Sequence, residues 1–438
     1  MKPFIVVQGP VATRSGYGNH TRDLVTSLIK ADKYDIQIVS LPWGACPMNA
    51  LRADNQEHVE ILKRIATQNI SRQPDVFIQI SVPNEFKKIG KYNIGITAGI
   101  ETTAVPHHFI QGANNMDLIV ATSEHSKKGF EVVYDKINEN TKQKDGELRI
   151  ETPIEVLFEG ADLNVYKKVS DIDKMVDQEL SMVKDKFCYL FVGHWLKGDI
   201  GHDRKDIGMM IKTFCEAFKR KSKHNRPGLI LKTSHAGFSV TDRHQMFKKI
   251  QQIIAPYGDN KPNIYLLHGD LEDEEMNALY NHPKVKAMVS FTKGEGFGRP
   301  LLEFGLTGKP IIASNWSGHI DFLNKDYCTL LPGNLTPVHK SAADEFIRQD
   351  AQWFYVEYSY AAKVLQDVMD NYKNYLKLSR KQTQYVKDNF SLDKMAEKFC
   401  KIVDKGLETV PQQVALNLPK LNKVDSGPKI KLPKLSKA

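Results

Sequence analysis

The sequence predicts an α/β fold of two domains, each built on a parallel sheet, and three observations predict it. Apolar runs of strand length alternate with amphipathic helical stretches from Phe4 to beyond Ala313, which is the pattern of repeated βαβ units. A glycine-rich turn follows a strand candidate in each half, once after Val7 and once after Thr292. The 438 residues are also enough chain for two complete hydrophobic cores.

Composition narrows the class. Charged residues at 26% and apolar residues at 41% are ordinary for a globular protein. No apolar run reaches the ~18 residues that a bilayer requires. The opening Met-Lys-Pro-Phe-Ile-Val-Val reads as a strand, not as a signal peptide. Five widely spaced cysteines without a Cys-x-x-Cys pair predict neither a disulfide framework nor a zinc site, and point to a cytoplasmic setting. The net charge of +9 is unevenly placed: residues 411–438 hold six lysines against Asp425, leaving +4 on the first 410 residues. That segment is expected to be a basic, flexible tail able to make weak contact with an anionic surface.

In the first half, Phe4–Val7 is a strand and Asp23–Ile29 a helix, joined through a turn containing Gly16 and Gly18. Nucleotide-binding α/β folds place ligands at such a turn, although neither a P-loop nor a dinucleotide fingerprint is present. His20 and Arg22 suit the cleft or the helix surface equally. Strands follow at Ile36–Ser40, Val76–Ile80, Asn93–Ala98, Leu118–Thr122 and Ile154–Phe158, with a helix at Val59–Ala66 and a polar excursion at Lys136–Glu151. Glu101 falls just past the carboxyl end of a strand, where open parallel sheets bind ligands. Three roles stay open for it: orienting an acceptor, touching a donor sugar, or starting a helix. His107 and His108 point to different faces if helical.

The stretch Ser170–Asp185 is charged and lacks strand signals, so the domain crossing is placed there. The second half runs through strands at Phe187–Val192, Gly228–Thr233 and Ile264–Gly269. Residues 202–218 are expected to form one amphipathic helix with Arg204 and Lys205 at its start. Cations oppose the dipole at a helix amino end, so a phosphate ligand is their natural reason. Lys232 at a strand end suits phosphate contact or a solvated rim. Ala361–Tyr375 and Ser391–Leu407 are the closing helices.

The most informative stretch is Lys284–Ser314. A strand over Val285–Thr292 meets Gly294, Gly296 and Gly298, a helix begins at Pro300 and stops at Gly308, and another strand starts at Pro310. Bare amides and a positive helix end suit a phosphate. Glu295 and Glu303, with seven residues between them, flank that point, and carboxylates accept from sugar hydroxyls. A ligand with hydroxyls on both sides of a diphosphate fits, which describes a nucleotide sugar.

The string Glu-Gly-Phe-Gly-Arg-Pro-Leu-Leu-Glu followed by Gly-Lys-Pro-Ile-Ile-Ala-Ser resembles the signature of the retaining glycosyltransferases of family 4. Taken whole, the chain also resembles members encoded by phages. The resemblance implies a GT-B fold: two Rossmann-like domains with parallel sheets facing across a deep cleft. The acceptor-side domain would span 1–170 and the nucleotide-sugar domain 171–390, with a helix at 391–410 packing back on the first domain and the tail at 411–438. It implies that Glu295 faces the donor sugar, that Glu303 holds the ribose, and that Gly296, Phe297 and Gly298 lie along the sugar–diphosphate. Gly16 and Gly18 would lie across the cleft, while Lys205 would neutralise the diphosphate. His194 stands where the family has an arginine, and Arg204 is its substitute; Glu101 stands near the family's donor-touching histidine.

The same resemblance implies retaining transfer, and chemistry without a metal is expected because the Asp171-Ile-Asp173 pair falls in the linker, away from any strand end. A UDP-sugar is the expected donor. Two acceptors remain open, a hydroxymethylated pyrimidine in phage DNA within the host cytoplasm, or a polysaccharide or lipid-linked glycan. A nucleotide-sugar 2-epimerase and a sugar-binding module without chemistry are the readings from other classes.

Overall fold

The computed structural model describes residues 2–410 apart from Ser71, Glu139, Asn140 and Ala236. The expected flexible tail at 411–438 lies outside the described residues.

The first layered unit contains β1 (Phe4–Gly9), α1 (Gly16–Ala31), β2 (Asp35–Ser40), α2 (Gln56–Leu62), β3 (Val76–Ile80), β4 (Tyr92–Thr97), α3 (His107–Ala113), β5 (Leu118–Ala121), α4 (Glu124–Lys128), a β6–β7 hairpin (Tyr134–Ile137, Lys144–Leu148) and β8 (Ile154–Val156). Its sheet runs β2-β1-β3-β4-β5-β8 with every pairing parallel. Ile5, Val7, Ile78, Ile94 and Ile96 are all but sealed from solvent, as strands covered on both faces require.

A short helix, α5 (Lys174–Glu179), precedes the second unit. That unit holds β9 (Cys188–Val192), α6 (Ile207–Phe218), β10 (Gly228–Lys232), α7 (Val240–Ile254), β11 (Ile264–Leu267), α8 (Asp273–Asn281), β12 (Val285–Ser290), α9 (Arg299–Gly305), β13 (Ile311–Ser314), β14 (Thr329–Leu331) and a β15–β16 hairpin (Gly333–Pro337, Gln352–Val356). Its sheet is β11-β10-β9-β12-β13-β14, again parallel throughout. The chain closes with α10 (Tyr358–Asp370), α11 (Tyr372–Asn389) and α12 (Leu392–Glu408).

The last helix returns to the first unit. Asp404 on α12 accepts from Tyr34 Oη at 2.6 Å and pairs with Lys33 at 3.0 Å. Gly406 lies flat against the Tyr92 ring, which a Cβ would enter at 2.7 Å.

Four sequence expectations need correction. Gly16 and Gly18, expected in the turn before a helix at Asp23–Ile29, form the first turn of α1 itself, because Ser15 caps the helix by accepting from the Gly18 amide. Residues 202–206 are not the start of a helix: α6 begins at Ile207, behind Asp206 in the left-handed region at φ 53°. The turn is fixed by the buried Lys293, whose ammonium pairs with Asp206 at 2.6 Å, and by Tyr358, which donates to the same carboxylate. Hydrophobic spacing alone does not register such a pin. The helix expected over 361–375 is broken at Asn371, where α10 ends and α11 begins. The polar stretch 136–151 contains the β6–β7 hairpin, whose exposed strands offered no apolar alternation to read.

Candidate active site between the two sheets

The carboxyl ends of the two sheets meet. The loop after β12 lies against the segment after β4 so closely that a Cβ on Gly294 would sit 1.8 Å from the Glu101 carbonyl oxygen, and one on Gly296 1.5 Å from that of Ala98. These glycines therefore serve the approach of one domain's backbone to the other, where the sequence had suggested approach to a ligand. Ser123 Oγ, the N-cap of α4, donates to the Gly296 carbonyl at 2.5 Å, and Ser126 Oγ does so at 3.1 Å. Gly298, at φ 99°, caps α9. The amides of Gly296, Phe297 and Gly298 donate to nothing among the described residues, so three successive N–H groups remain at the positive end of a short helix.

Four predicted residues converge beside this loop. Arg204 pairs with Glu101 at 3.1 Å and with Glu295 at 3.2 Å, and also donates to the Gly294 carbonyl at 2.9 Å. Lys205 takes the other Glu295 oxygen. Burial works against the Glu295 charge, yet Lys205 and Arg204 outweigh it and hold the carboxyl down to about 2. Glu101 moves the opposite way: burial and the neighbouring Glu295 raise it against the pull of Arg204. Two cations and two carboxylates thus form one buried, formally neutral cluster. His194, also close by, is bonded to Ser234 and to the His235 carbonyl.

Glu303 lies one turn along α9. It is buried, accepts from Tyr280 Oη at 3.2 Å, and pairs with Arg299 at 2.8 Å. Burial pushes its carboxyl up to about 7 despite Arg299. On the first-domain side, Gly16 faces open space, whereas Gly18 is held against the Thr13 carbonyl. Arg22 does not face the cleft as a free cation; it donates to the Val11 and Thr13 carbonyls and so shapes this turn. His20 is buried with both ring nitrogens unpartnered among the described residues. Arg14 reaches across to Asp270 at 3.0 Å and Glu272 at 2.8 Å. His107 and His108 start α3, away from this cluster, with His108 edge-on to Phe346. Lys232 donates to the Gly269 carbonyl at 2.7 Å.

No protein-family model matches the chain, and no curated protein is recognisably similar in sequence. Solved structures do share its architecture. Anabaena HepE in complex with UDP-glucose superposes with a TM-score of 0.58 at 12% identity, over 92% of this chain and 100% of that one. Sucrose-phosphate synthase from Thermosynechococcus elongatus gives 0.59 at 13% identity, covering 92% and 98%. A glycosyltransferase from Rickettsia africae gives 0.57 at 15%, covering 93% and 99%. The chain has the GT-B fold.

Within that fold the cleft is tight. The pocket between Lys205, Glu295 and Gly298, lined by second-domain residues, has a cavity volume of only about 10 Å³, far below the ~300–1,000 Å³ common for ligand sites. Sequence reasoning missed Asp23, Glu159, Lys293 and Arg299. Arg299 sat in plain view inside the Glu-to-Glu string, but nothing local revealed its partner. Of the Asp171-Ile-Asp173 pair, Asp173 caps α5 by accepting from the amides of Met175 and Val176.

Proposed function

We propose that this protein is a retaining glycosyltransferase that moves a sugar from a nucleoside-diphosphate donor, a UDP-sugar, to an acceptor hydroxyl. The observation that carries the reading is the buried Glu295–Lys205–Arg204 cluster beside three unspent amides, at the meeting point of two parallel sheets. The UDP-glucose in HepE supports it. Residues 1–170 form the acceptor side and 171–390 the donor side.

In this mechanism the diphosphate takes Lys205 and Arg204 from Glu295, and the released carboxylate accepts from sugar hydroxyls. Amides of Gly296, Phe297 and Gly298 lie along the diphosphate, with Gly16 and Gly18 opposite, while Glu303 accepts from the ribose. The bond between C1 of the sugar and the phosphate oxygen breaks and its electron pair stays on the phosphate. Preplaced cations and amides stabilise that charge without reorganising. The acceptor oxygen bonds to C1 from the face the phosphate leaves, and the departing phosphate takes the acceptor's proton. Glu101, tied to Arg204, borders the sugar end. No residue here is assigned to a metal; the leaving charge is assigned to Lys205, Arg204 and the amides.

For the acceptor we propose DNA bearing a hydroxymethylated pyrimidine, modified in the host cytoplasm by a phage-encoded enzyme. The net charge of +9 and the lysines beyond residue 410 support it. No helix among the described residues is long and apolar enough to cross a membrane. The test is a thermal-shift panel of UDP-, GDP- and ADP-sugars, followed by transfer of labelled sugar to hydroxymethylated and unmodified DNA. Stabilisation by UDP-sugars and salt-sensitive labelling of modified DNA alone are expected. Labelling of a lipid-linked glycan with DNA ignored would overturn the acceptor, and conversion of the donor alone would overturn the transferase.

A further inference from the structure

The second glutamate of the motif does not stand alone. Arg299, on its own helix, bonds Glu303 through Nε at 2.8 Å and reaches Asp23 of α1 through Nη1 at 2.5 Å. Asp23 belongs to the first domain, five residues beyond Gly18. All three side chains are nearly sealed, at 12%, 16% and 6% exposure for Arg299, Asp23 and Glu303. One guanidinium therefore joins a donor-facing acid to the opposite domain, in the planar two-armed geometry that lysine lacks.

The surroundings are rich in acid. Glu159, just past β8, is 6% exposed and accepts no hydrogen bond among the described residues. Arg22, the other cation here, is spent on backbone carbonyls. Among the described residues Arg299 is thus the one cation in direct contact with any of these three buried carboxylates, bonded to Asp23 and Glu303, with Arg22 acting on Asp23 only through space, and the site is short of hydrogen-bond donors. A ribose diol supplies two. We propose that Arg299 is a positioning residue that sets the Glu303 carboxylate for the ribose and, through Asp23, ties the first domain over the bound nucleotide. Donor binding and domain closure are then coupled at one side chain. This inference rests on Glu303 being the ribose acceptor, as proposed above.

The groups facing Glu303 come from several elements. Arg299 shares its helix, Asp273 and Tyr280 lie on α8, and Tyr166 precedes α5. From the first domain, Asp23, His20 and Glu159 act on the same guanidinium. Arg299 is the cation opposing the upward push of burial on Glu303. Its loss moves the acidic limb of nucleotide binding to higher pH, an effect that mere loosening of the fold does not produce.

The experiment uses the full chain as wild type, Asp23→Asn, Arg299→Met and the double variant. Each is measured for UDP affinity by calorimetry from pH 5.5 to 8.5, for donor KM and kcat, and by small-angle scattering with and without UDP. Asp23→Asn is expected to raise donor KM about tenfold, the equivalent of one strong charged contact, with kcat moving less and scattering showing more open domains. Arg299→Met is expected to lose more affinity and shift the acidic limb upward, while the double variant adds little to it. Wild-type KM and scattering in Asp23→Asn, or strict additivity in the double variant, would overturn the coupling. A wild type that binds no nucleotide sugar would instead remove the donor reading and the ribose half of this one. Scattering would still report whether Arg299 holds the domains.

Discussion

Glu295 and Glu303 are eight positions apart, both buried and both paired with cations, yet they ionise in opposite senses. At the Glu295 end, Lys205 pairs with Glu295 and Arg204 with both Glu295 and Glu101, and cations match acids. At the Glu303 end, Arg299 is the cation bonded to both Asp23 and Glu303, with Glu159 close by. Burial raises both carboxyls, but only at Glu295 does the positive charge outweigh it. The difference teaches that a motif's residue types fix what can be ionised, while the neighbours each residue meets fix what is.

The largest effect is expected from breaking the balanced end. Lys205→Ala leaves Glu295 buried with one shared cation, and removing one partner of a buried pair costs about 3–5 kcal/mol. Chemical denaturation should register that loss. Turnover and UDP affinity should fall together, kcat by about 10²–10³ if the lysine carries leaving-group charge. Were only the acceptor's half-saturation to move, Lys205 would belong to another role.

The acid-rich end should respond to pH in the opposite direction. Glu159 is pushed by burial up to about 7 from an ordinary 4.5. A raised carboxyl favours its protonated form in the folded state, so the associated stability is full below about pH 4.5 and lost as pH rises through 7. Each pKa unit is about 1.4 kcal/mol, so Glu159→Gln should gain at most ~3 kcal/mol over wild type at pH 8 and nothing at pH 4. Glu295, held low, contributes stability present above pH 4.5 and lost towards 2. Denaturation curves at pH 3, 6 and 8 separate the two ends; a Glu159→Gln gain independent of pH would erase the contrast.

Glu303→Ala removes the acceptor proposed for the ribose and leaves Arg299 to Asp23. UDP affinity should fall by about 1–3 kcal/mol, as read by calorimetry, with less change for inorganic diphosphate. Unchanged UDP affinity would take the ribose away from this residue. The smallest effect is expected away from both ends: Tyr34→Phe deletes the hydrogen bond to Asp404 that helps seat α12, and about 1 kcal/mol of stability should go with it. UDP affinity should stay as in wild type. A drop would mean that α12 seating also sets the cleft.

Much of this site was legible because its information is local. The alternation of apolar and polar residues placed nearly every strand of both sheets, since period and length reflect burial of each element separately. The glycines and acids of 294–303 marked, within ten residues, the loop around which the buried charges gather. Lys205 and Arg204 were found by asking why cations precede a helix, although the turn that holds them is pinned by Lys293, some 90 positions away. Arg299 could be seen but not understood, because Asp23 is 276 positions distant. Gly294 and Gly296 were read as ligand-facing, when the backbone they admit is that of the other domain.

By itself, then, the order of residues determined the layers, the turns at the strand ends, and which acids and cations would be near the cleft. Tertiary structure alone decided how they pair, that Gly296 is a domain contact, and that Glu295 is an anion while Glu303 hovers near neutrality. The reason is electrostatic: desolvation and Coulomb attraction depend on distances across a closed cleft, and those distances are set by two domains folding against each other.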